Sequence, residues 1–267
     1  MIELVCIDVD GTLVGSSGHV SDAVWRAASS ARARGVRLAI CSGRPAFGVT
    51  GTYAERLDAT GWHVFQNGAS VMNLAGGETR SRAIPSALVS WLIERSRALH
   101  RPLELYTDTA YAVEFDIPRT RAHADLLGVP FERRDLRSLP DPVVRAQWLV
   151  SHEEAELVLT EPHEGLLLSH SLSPVMPDTS FINVTPEGVD KASAVRLVAE
   201  AYGVPLDRVM MVGDSANDIS TMRIVGMSVA MGNAEPGVLD LADAHVATVD
   251  EDGLVEALAL TSAEGTP

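Results

Sequence analysis

The sequence has little lysine, few aromatic residues and few cysteines. Lysine occurs once in 267 residues, aromatic residues make up 5%, and there are two cysteines. Two cysteines cannot form the disulfide framework of a small secreted domain, and both lie in apolar segments that predict buried, reduced thiols. No apolar run approaches the roughly 18 residues of a membrane span, and the first residues lack the basic segment of a signal peptide. We therefore expect a cytoplasmic protein with no membrane partner.

The charge of the chain is strongly acidic. There are 36 acidic against 21 basic side chains, which gives a formal charge of −15, and no basic residue follows Arg223. This charge argues against binding of nucleic acid, whose phosphates would be repelled. The single lysine, Lys191, stands among twenty arginines. Because a lysine is a compact point charge that a planar guanidinium does not replace, Lys191 is a candidate for a chemical role.

Apolar runs and helix signals alternate at both ends of the chain. The main strands of this pattern are predicted at 2–9, 36–41, 62–66, 208–213 and 227–231. The pattern predicts an α/β fold, with a Rossmann-like parallel-sheet core built from residues 1–81 and 186–267. Residues 82–185 show strands joined by short turns and a few helices, which predicts an inserted α+β cap domain. The Gly76-Gly77 turn predicts a hairpin at the end of the first core segment.

Polar residues follow the predicted core strands, at the edge of a parallel sheet where ligands bind. The segments are Asp8-Val9-Asp10-Gly11-Thr12, Ser42-Gly43-Arg44, Asn67-Gly68 and the run from Gly213 to Asp218, while Lys191 begins a helix. Four carboxylates, one hydroxyl and the only lysine would then meet at one edge. Carboxylates this close repel one another unless a cation offsets them, and Mg²⁺ prefers such oxygen ligands.

This set of groups suits phosphoryl transfer through a carboxylate nucleophile. One aspartate attacks phosphorus, a second protonates the leaving oxygen and then deprotonates water, and Mg²⁺, a lysine and a hydroxyl hold the phosphoryl oxygens. Asp8 and Asp10 alternate along a strand, so we expect their side chains to point in different directions and to have different roles. Asp214 and Asp218 are four residues apart and would share one face if their turn is helical.

These residues resemble the motifs of the haloacid dehalogenase superfamily of phosphohydrolases. The segment DVDGT at 8–12 resembles the first motif, Ser42 the second, Lys191 the third, and GDSANDIS at 213–220 the fourth. The stretches SGRP, PEGVDK and VAMGNAEPGV narrow the resemblance to the Cof-type subfamily, whose cap is inserted between the second and third motifs. The resemblance runs over nearly the whole chain, although Ala192 stands where the family usually has glycine.

The resemblance implies a role for each matching residue. Asp8 would be the nucleophile and a metal ligand, and Asp10 the general acid and base, with its backbone carbonyl on the metal. Asp214 would be the other carboxylate ligand, and Asp218 would position metal-bound waters or Lys191. The groups implied to bind the phosphoryl group or the rest of the substrate are Thr12, Ser42, Gly43, Arg44, Asn67, Lys191 and Asn217.

We therefore expect a Mg²⁺-dependent phosphatase that hydrolyses a small phosphorylated metabolite, with a sugar phosphate favoured, through an aspartyl-phosphate. A phosphomutase with the same core and a non-catalytic phospho-acceptor regulator are the alternatives, and the acid–base residue Asp10 argues against the regulator. Four cap residues could either contact the substrate or lie on the solvated surface, and we favour the surface for them. They are Glu104, Tyr106, Arg133 and Arg134. No sequence feature indicates an oligomeric state, and a monomer is compatible with the sequence.

Overall fold

The fold is described from a computed structural model, in which residues 1–140, 142–173 and 175–262 are placed. The strands are β1 Leu4–Ile7, β2 Arg37–Ile40, β3 Trp62–Phe65, β4 Ser70–Asn73, β5 Leu103–Tyr106, β6 Tyr111–Val113, β7 Arg145–Val150, β8 Leu166–Leu172, β9 Ser180–Pro186, β10 Val209–Gly213, β11 Met227–Ala230 and β12 Ala244–His245. The α-helices are α1 Asp22–Ala33, α2 Val49–Asp58, α3 Ser86–Leu99, α4 Pro118–Leu127, α5 His152–Thr160, α6 Lys191–Tyr202, α7 Ile219–Met222, α8 Pro236–Leu239 and α9 Gly253–Ala259. Within the placed residues, no helix combines the length and apolar character needed to cross a bilayer.

The chain divides into two compact units. The first comprises Met1–Gly43, Thr52–Arg80 and the chain from Asp190 onward, and the second comprises Arg44–Gly51 and Ser81–Val189. Residues 44–51 group with the second unit because the ring of Phe47 stacks beside two of its tyrosines. The ring centroids lie 6.4 Å from that of Tyr106 and 6.1 Å from that of Tyr111. No local sequence signal indicates this grouping, and the separate roles expected for core and cap stay a prediction.

The first unit is built on a parallel sheet of five strands in the order β12-β11-β10-β1-β2. The middle of the sheet is formed by β1, where Ile7 lies opposite Val212 of β10 and Ile40 of β2. All four residues of β1 are buried, as expected for an apolar strand covered on both faces. Parallel strands end at the same edge, so the segments after β1, β2 and β10 meet there. The predicted Rossmann-like parallel core is confirmed.

We expected the third predicted strand, β3, to lie in the parallel sheet, but it forms a two-stranded sheet with β4. Only one isolated parallel bridge, between Cys41 and Val64, connects β3 to the segment after β2, whereas β3 pairs along its whole length with antiparallel β4. The chain reverses sharply between β3 and β4, because Gln66 and Asn67 both adopt φ 54°. The hairpin predicted across Gly76-Gly77 forms only as one isolated Met72–Thr79 bridge, since the chain leaves the first unit after residue 80.

The second unit is built on an antiparallel sheet of five strands in the order β6-β5-β7-β9-β8. One face packs against α3 and α5, where apolar strand residues such as Trp148 and Ile182 cluster with Leu92 and Val158. The opposite face carries Glu104 and Tyr106, which are also fully buried. The interpretation of these two residues as solvated surface is therefore wrong, because β5 is covered on both faces. Two layers of helix and antiparallel sheet confirm the predicted α+β module.

Candidate active site

The loop after β1 contacts the loop after β10 through a glycine and a hydroxyl. Gly11 has φ +81°, and a Cβ atom at this position would lie 2.2 Å from Oδ2 of Asp214. Only glycine therefore permits so close an approach. The buried hydroxyl of Thr12 donates to Oδ1 of Asp214 at 3.0 Å. These two contacts fix the carboxylate of Asp214 beside the segment that carries Asp8.

Lys191 is the first residue of α6, and its ammonium group is buried. The helix begins there because the Asp190 carboxylate accepts a hydrogen bond from the backbone N–H of Ser193 at 2.8 Å. The Nζ atom of Lys191 donates to Asp8 Oδ1 at 2.6 Å, to Asp218 Oδ1 at 2.7 Å and to the side-chain Oδ1 of Asn217 at 3.1 Å. An ammonium has three N–H groups, so each of them has one acceptor.

Asp218 folds back over the loop that follows β10. Its Oδ2 atom accepts hydrogen bonds from the backbone N–H groups of Asp214, at 3.1 Å, and Ser215, at 3.2 Å. Its Oδ1 atom is held by Lys191. The two aspartates therefore do not lie side by side on a helix face, as their spacing allowed. Both oxygens of Asp218 have partners, which suits a residue that positions the loop and Lys191.

Three carboxylates meet at this edge. Asp8, Asp214 and Asp218 each offer one oxygen atom, and these atoms lie within 4.8 Å of one another. Burial raises the pKa of Asp214 to about 7, with a further contribution from the charge of Asp218. Burial also raises the pKa of Asp8 well above its usual value, although Lys191 opposes this effect. One lysine does not neutralise three carboxylates, so a divalent cation with oxygen ligands fits this donor set.

Lys191 remains charged in this environment. Burial by itself would lower its pKa, but the neighbouring carboxylates of Asp218 and Asp8 outweigh burial, and the net effect raises the pKa. The adjacent thiol of Cys41 is different, because burial raises its pKa well above the usual value and keeps it neutral. This agrees with the interpretation of Cys41 as an inert core cysteine.

The segments after β2 and β3 extend the site. The backbone N–H of Asn67 donates to the carbonyl of buried Ser42 at 3.0 Å, and the Asn67 side-chain oxygen accepts from Asn217 Nδ2 at 3.3 Å. Gly68 has φ +96°, and a Cβ atom there would lie 2.1 Å from the carbonyl oxygen of Asp190. The tight turn thus places Asn67 beside the start of α6 and the asparagine that contacts Lys191.

The structure brings most of the predicted residues together. One continuous set of hydrogen bonds joins Asp8, Thr12, Ser42, Asn67, Lys191, Asp214, Asn217 and Asp218. Gly43 lies beside this set, since a Cβ atom there would be 3.0 Å from Oδ1 of Asn67. Asp10 is exposed two residues beyond buried Asp8. Arg44 belongs to the second unit.

Asn233 is a supporting residue that the sequence analysis missed. Its Nδ2 atom donates to the Gly11 carbonyl at 2.8 Å, and its Oδ1 atom accepts from the backbone N–H of Val249 at 2.8 Å. It therefore ties the loop after β1 to the C-terminal part of the chain. The sequence signal that could have identified Asn233 is the stretch VAMGNAEPGV, which contains it. This stretch supported the family resemblance, but no role was assigned to Asn233.

Comparison with known proteins agrees with this architecture. A family model described as haloacid dehalogenase-like hydrolase matches residues 5–258. The putative phosphatase YxeH of Bacillus subtilis is 27% identical over 266 residues, covering 97% of each chain. The 5-amino-6-(5-phospho-D-ribitylamino)uracil phosphatase YcsE of the same organism is 27% identical, covering 96% of this chain and 94% of the relative.

Solved structures show the same fold over nearly the whole chain. The crystal structure of a haloacid dehalogenase-like hydrolase from Bacteroides thetaiotaomicron superposes with a TM-score of 0.86 at 27% identity, covering 97% of this chain and 99% of the other. The sequence motifs, the geometry of the site and the extent of the family match agree. The chain belongs to the haloacid dehalogenase-like hydrolase family.

Proposed function

We propose that this protein is a Mg²⁺-dependent phosphatase that hydrolyses a small phosphorylated metabolite, with a sugar phosphate favoured, through an aspartyl-phosphate. The observation that carries the proposal is the buried contact of Lys191 with Asp8, at 2.6 Å, next to the carboxylate of Asp214. Membership of a hydrolase family and two relatives named as phosphatases support it. The substrate class follows from the resemblance and is the part that needs a screen.

Asp8 is the proposed nucleophile. Lys191 fixes its Oδ1 atom and favours the ionised carboxylate against the effect of burial. We assign Oδ2 as the attacking oxygen, which forms a bond to phosphorus while the ester P–O bond breaks. The product of this half-reaction is an aspartyl-phosphate and the free alcohol.

Asp10 is the proposed general acid and base. It is exposed and follows Asp8 by two residues, so it can reach the leaving oxygen while Asp8 stays buried. In the first step Asp10 gives its proton to the leaving oxygen, and in the second it takes a proton from the attacking water. Water attack breaks the acyl–phosphate bond, releases inorganic phosphate and restores both aspartates.

A phosphoryl oxygen needs a donor from Lys191, whose three N–H groups already have acceptors. The bond to the side-chain Oδ1 of Asn217 is the longest of the three at 3.1 Å and the only one to a neutral group. We infer that phosphate replaces this acceptor, because a charged oxygen is the better hydrogen-bond partner. The Asn217 side chain, already held by Ser215 Oγ at 2.9 Å and by Asn67, can then turn its amide toward the substrate.

The carboxylates that would hold Mg²⁺ directly are Asp8 and Asp214, with the Asp10 backbone carbonyl as a third group. Asp218 already has a partner on each oxygen and would act through Lys191 and the loop. When bound, the cation supplies the positive charge that lets a phosphate dianion approach these carboxylates. The hydroxyl of Thr12 keeps the Asp214 carboxylate oriented for that purpose.

The proposal is tested by phosphate release from p-nitrophenyl phosphate and from a panel of sugar phosphates, nucleotides and phosphorylated cofactors. We expect turnover with Mg²⁺ and none in EDTA. No turnover of any ester with Mg²⁺, or full turnover in EDTA, would contradict it. Isomerisation of a sugar phosphate with little net phosphate release would instead identify a phosphomutase.

A further inference from the structure

The exposed large apolar side chains of the described chain are concentrated in one segment. Five of them, Leu157, Leu159, Leu167, Leu172 and Val175, lie within 19 consecutive positions of the second unit and are 58, 42, 41, 64 and 71% exposed. Apart from these, the large apolar side chains with this exposure in the placed residues are Met1 and Leu99. Leu167 and Leu172 lie on opposite faces of β8, because side chains alternate along a strand, so the feature to explain is this strand and not one apolar face.

This segment contains the edge strand β8. It is seven residues long, and among the strands that the structure describes it pairs with β9 alone. The other edges among the described strands are short or covered. At the far edge of the same sheet, β6 has three residues, and the Val113 carbonyl accepts from the backbone N–H of Arg134 at 2.8 Å. The last strand of the core sheet, β12, has two residues. A long, open edge strand is a template for pairing with another strand.

The sequence of this edge has no charge that would prevent such pairing. Residues 165–177 contain no Asp, Glu, Lys or Arg, although the whole chain carries a formal charge of −15. Natural edge strands are commonly protected by charged side chains, above all lysine. Two copies of an acidic chain repel each other overall, and an edge without charged side chains adds no local repulsion when two such edges meet. The uncharged edge therefore favours a second copy of this chain over a basic partner, which would need acidic side chains here.

The register shows which backbone groups of β8 point outward. The backbone N–H of Glu187 donates to the carbonyl of Gly165 at 3.1 Å, so 165 and its alternate residues 167, 169 and 171 bond to β9. Residues 166, 168, 170 and 172 consequently direct their N–H and C=O groups away from the sheet. Of these groups, the N–H of Leu166 is used within the turn, by the His163 carbonyl at 3.0 Å.

We propose that β8 pairs antiparallel with β8 of a second copy, forming a twofold-symmetric dimer with a continuous ten-stranded sheet. In such a dimer, even-numbered residues of one β8 face even-numbered residues of the other, and odd-numbered residues face odd-numbered ones. All seven residues of β8 find a partner only if the twofold axis passes beside Ser169, the middle residue of the strand. Leu166 then faces the partner's Leu172, and Leu168 faces the partner's His170. Both are pairs of outward-bonding residues. The ladder therefore continues across the dimer, except for the bond that the Leu166 N–H would donate at each end, because this group is held by the His163 carbonyl.

The dimer is tested first by sedimentation velocity of the full chain from nanomolar to high micromolar concentration. We expect a species of twice the 28.5 kDa chain mass. Leu172→Lys places a charge in the joined sheet and should give a monomer, whereas Leu99→Lys, a matched change of an exposed leucine at the end of α3, should leave the dimer. A wild-type monomer at every concentration, assemblies larger than a dimer, or a dimer that survives Leu172→Lys would overturn the proposal.

The register is tested by disulfide formation under mild oxidation. Two copies of Ser169→Cys would oppose each other as a non-hydrogen-bonded pair with Cα atoms about 4.5 Å apart, which a disulfide can span. Two copies of Ser171→Cys would be separated by four residues along the strands, roughly 13 Å. We expect rapid covalent dimers from the first variant and none from the second. Equal cross-linking of both, or cross-linking of Ser171→Cys alone, would exclude this pairing; the native cysteines are buried and give a low background.

Discussion

Lys191 in the first unit and Arg145 in the second are both buried cationic side chains, 1% and 3% exposed, in different surroundings. Lys191 contacts two carboxylates, whereas Arg145 donates to the neutral amide of Asn183 at 2.9 Å and lies over the ring of Tyr106 at 4.1 Å. The net effect on pKa is opposite. It is raised for Lys191 and lowered for Arg145, where burial outweighs the favourable influence of Tyr106 and Glu104.

Under the proposed function, this difference separates a cation with a chemical role from one with a structural role. The carboxylates beside Lys191 repel one another without it, so its position and charge are tied to the reactive groups. Arg145 belongs to a network in the second unit in which His123 Nδ1 lies 2.8 Å from Glu104 and the Tyr106 hydroxyl donates to the same carboxylate. Such a network specifies how the sheet face packs.

The largest effect is expected from removal of the carboxylate that Lys191 contacts at 2.6 Å. Asp8→Asn keeps the shape of the side chain but removes the negative charge and the nucleophile. Phosphatase activity should fall by more than about 1,000-fold, as for loss of a covalent nucleophile in other hydrolases. Steady-state phosphate release measures it, with circular dichroism to show that the fold persists. Asp22→Asn, an exposed aspartate at the start of α1, serves as control; retained activity of Asp8→Asn would move the nucleophile elsewhere.

Replacing Lys191 by arginine and Arg145 by lysine tests whether the two buried cations have different roles. Lys191→Arg should lower kcat/KM by about 100-fold, because a planar fork does not fit a site with three acceptors around one nitrogen. Arg145→Lys should leave kcat within a few fold and lower the free energy of unfolding by about 1–3 kcal/mol, since buried partners lose their donors. Kinetics and urea unfolding of both variants provide the measurements. If Lys191→Arg has normal activity, the single lysine is not required as a point charge.

An effect of intermediate size is expected from the protonation of His63, which lowers the stability of the fold. Burial is the main influence on the pKa of His63, as it is for Arg145. Burial lowers the pKa of His63 to about 4, and its Nδ1 atom accepts from the backbone N–H of Ile40 at 3.0 Å. The folded state therefore binds fewer protons than the unfolded state between this pKa and the unfolded value of about 6.5. Stability should be complete above that value and fall with decreasing pH, by about 2 kcal/mol between about pH 7 and pH 5.

Urea unfolding at both pH values measures the effect, and His63→Gln isolates it from other titrating groups. The variant should be less stable at neutral pH but should lose less stability on acidification than the wild type. An equal loss in the two proteins would show that other groups carry the pH dependence.

The smallest effect is expected at Thr12, which orients a carboxylate without contacting Lys191. Thr12→Val keeps the volume but removes the hydroxyl that donates to Asp214 at 3.0 Å. The Mg²⁺ concentration for half-maximal activity should rise about tenfold, as for other residues that hold a metal ligand. Magnesium titrations of activity provide the measurement, and Thr12→Ser should restore the wild-type value. If the serine variant behaves like the valine variant, the hydroxyl does not orient the site.

Much of the fold was predictable because its signals are local. The apolar runs of β1 and β10 and the Ser21 cap of α1, whose hydroxyl accepts from the backbone N–H of Val24 at 3.2 Å, can be read from a few neighbouring residues. The convergence of Asp8 and Asp214 followed from a general property of parallel sheets, in which strand ends share one edge. The scarcity of lysine added a compositional signal for Lys191.

The features that could not be predicted depend on contacts between distant segments. Nothing beside Glu104 or Tyr106 in the sequence shows that β5 is covered on both faces. The amide of Asn233 contacts Gly11, which is 222 positions away. The sequence of β8, LLLSHSL, is compatible with an inner or an edge strand, because strand order is set by the whole sheet. These are the properties on which the proposed dimer and the support of the site depend.

The chemical groups of the site, their positions after strands or at a helix start, and the family can all be read from the amino-acid sequence alone. Which oxygen each group contacts depends on the folded chain: Lys191 contacts one oxygen of Asp8 and one of Asp218, and Asp218 turns its other oxygen to its own loop. The physical reason is distance along the chain. Lys191 and Asp8 are 183 positions apart, and their contact exists only once α6 packs against β1 in the core of the first unit.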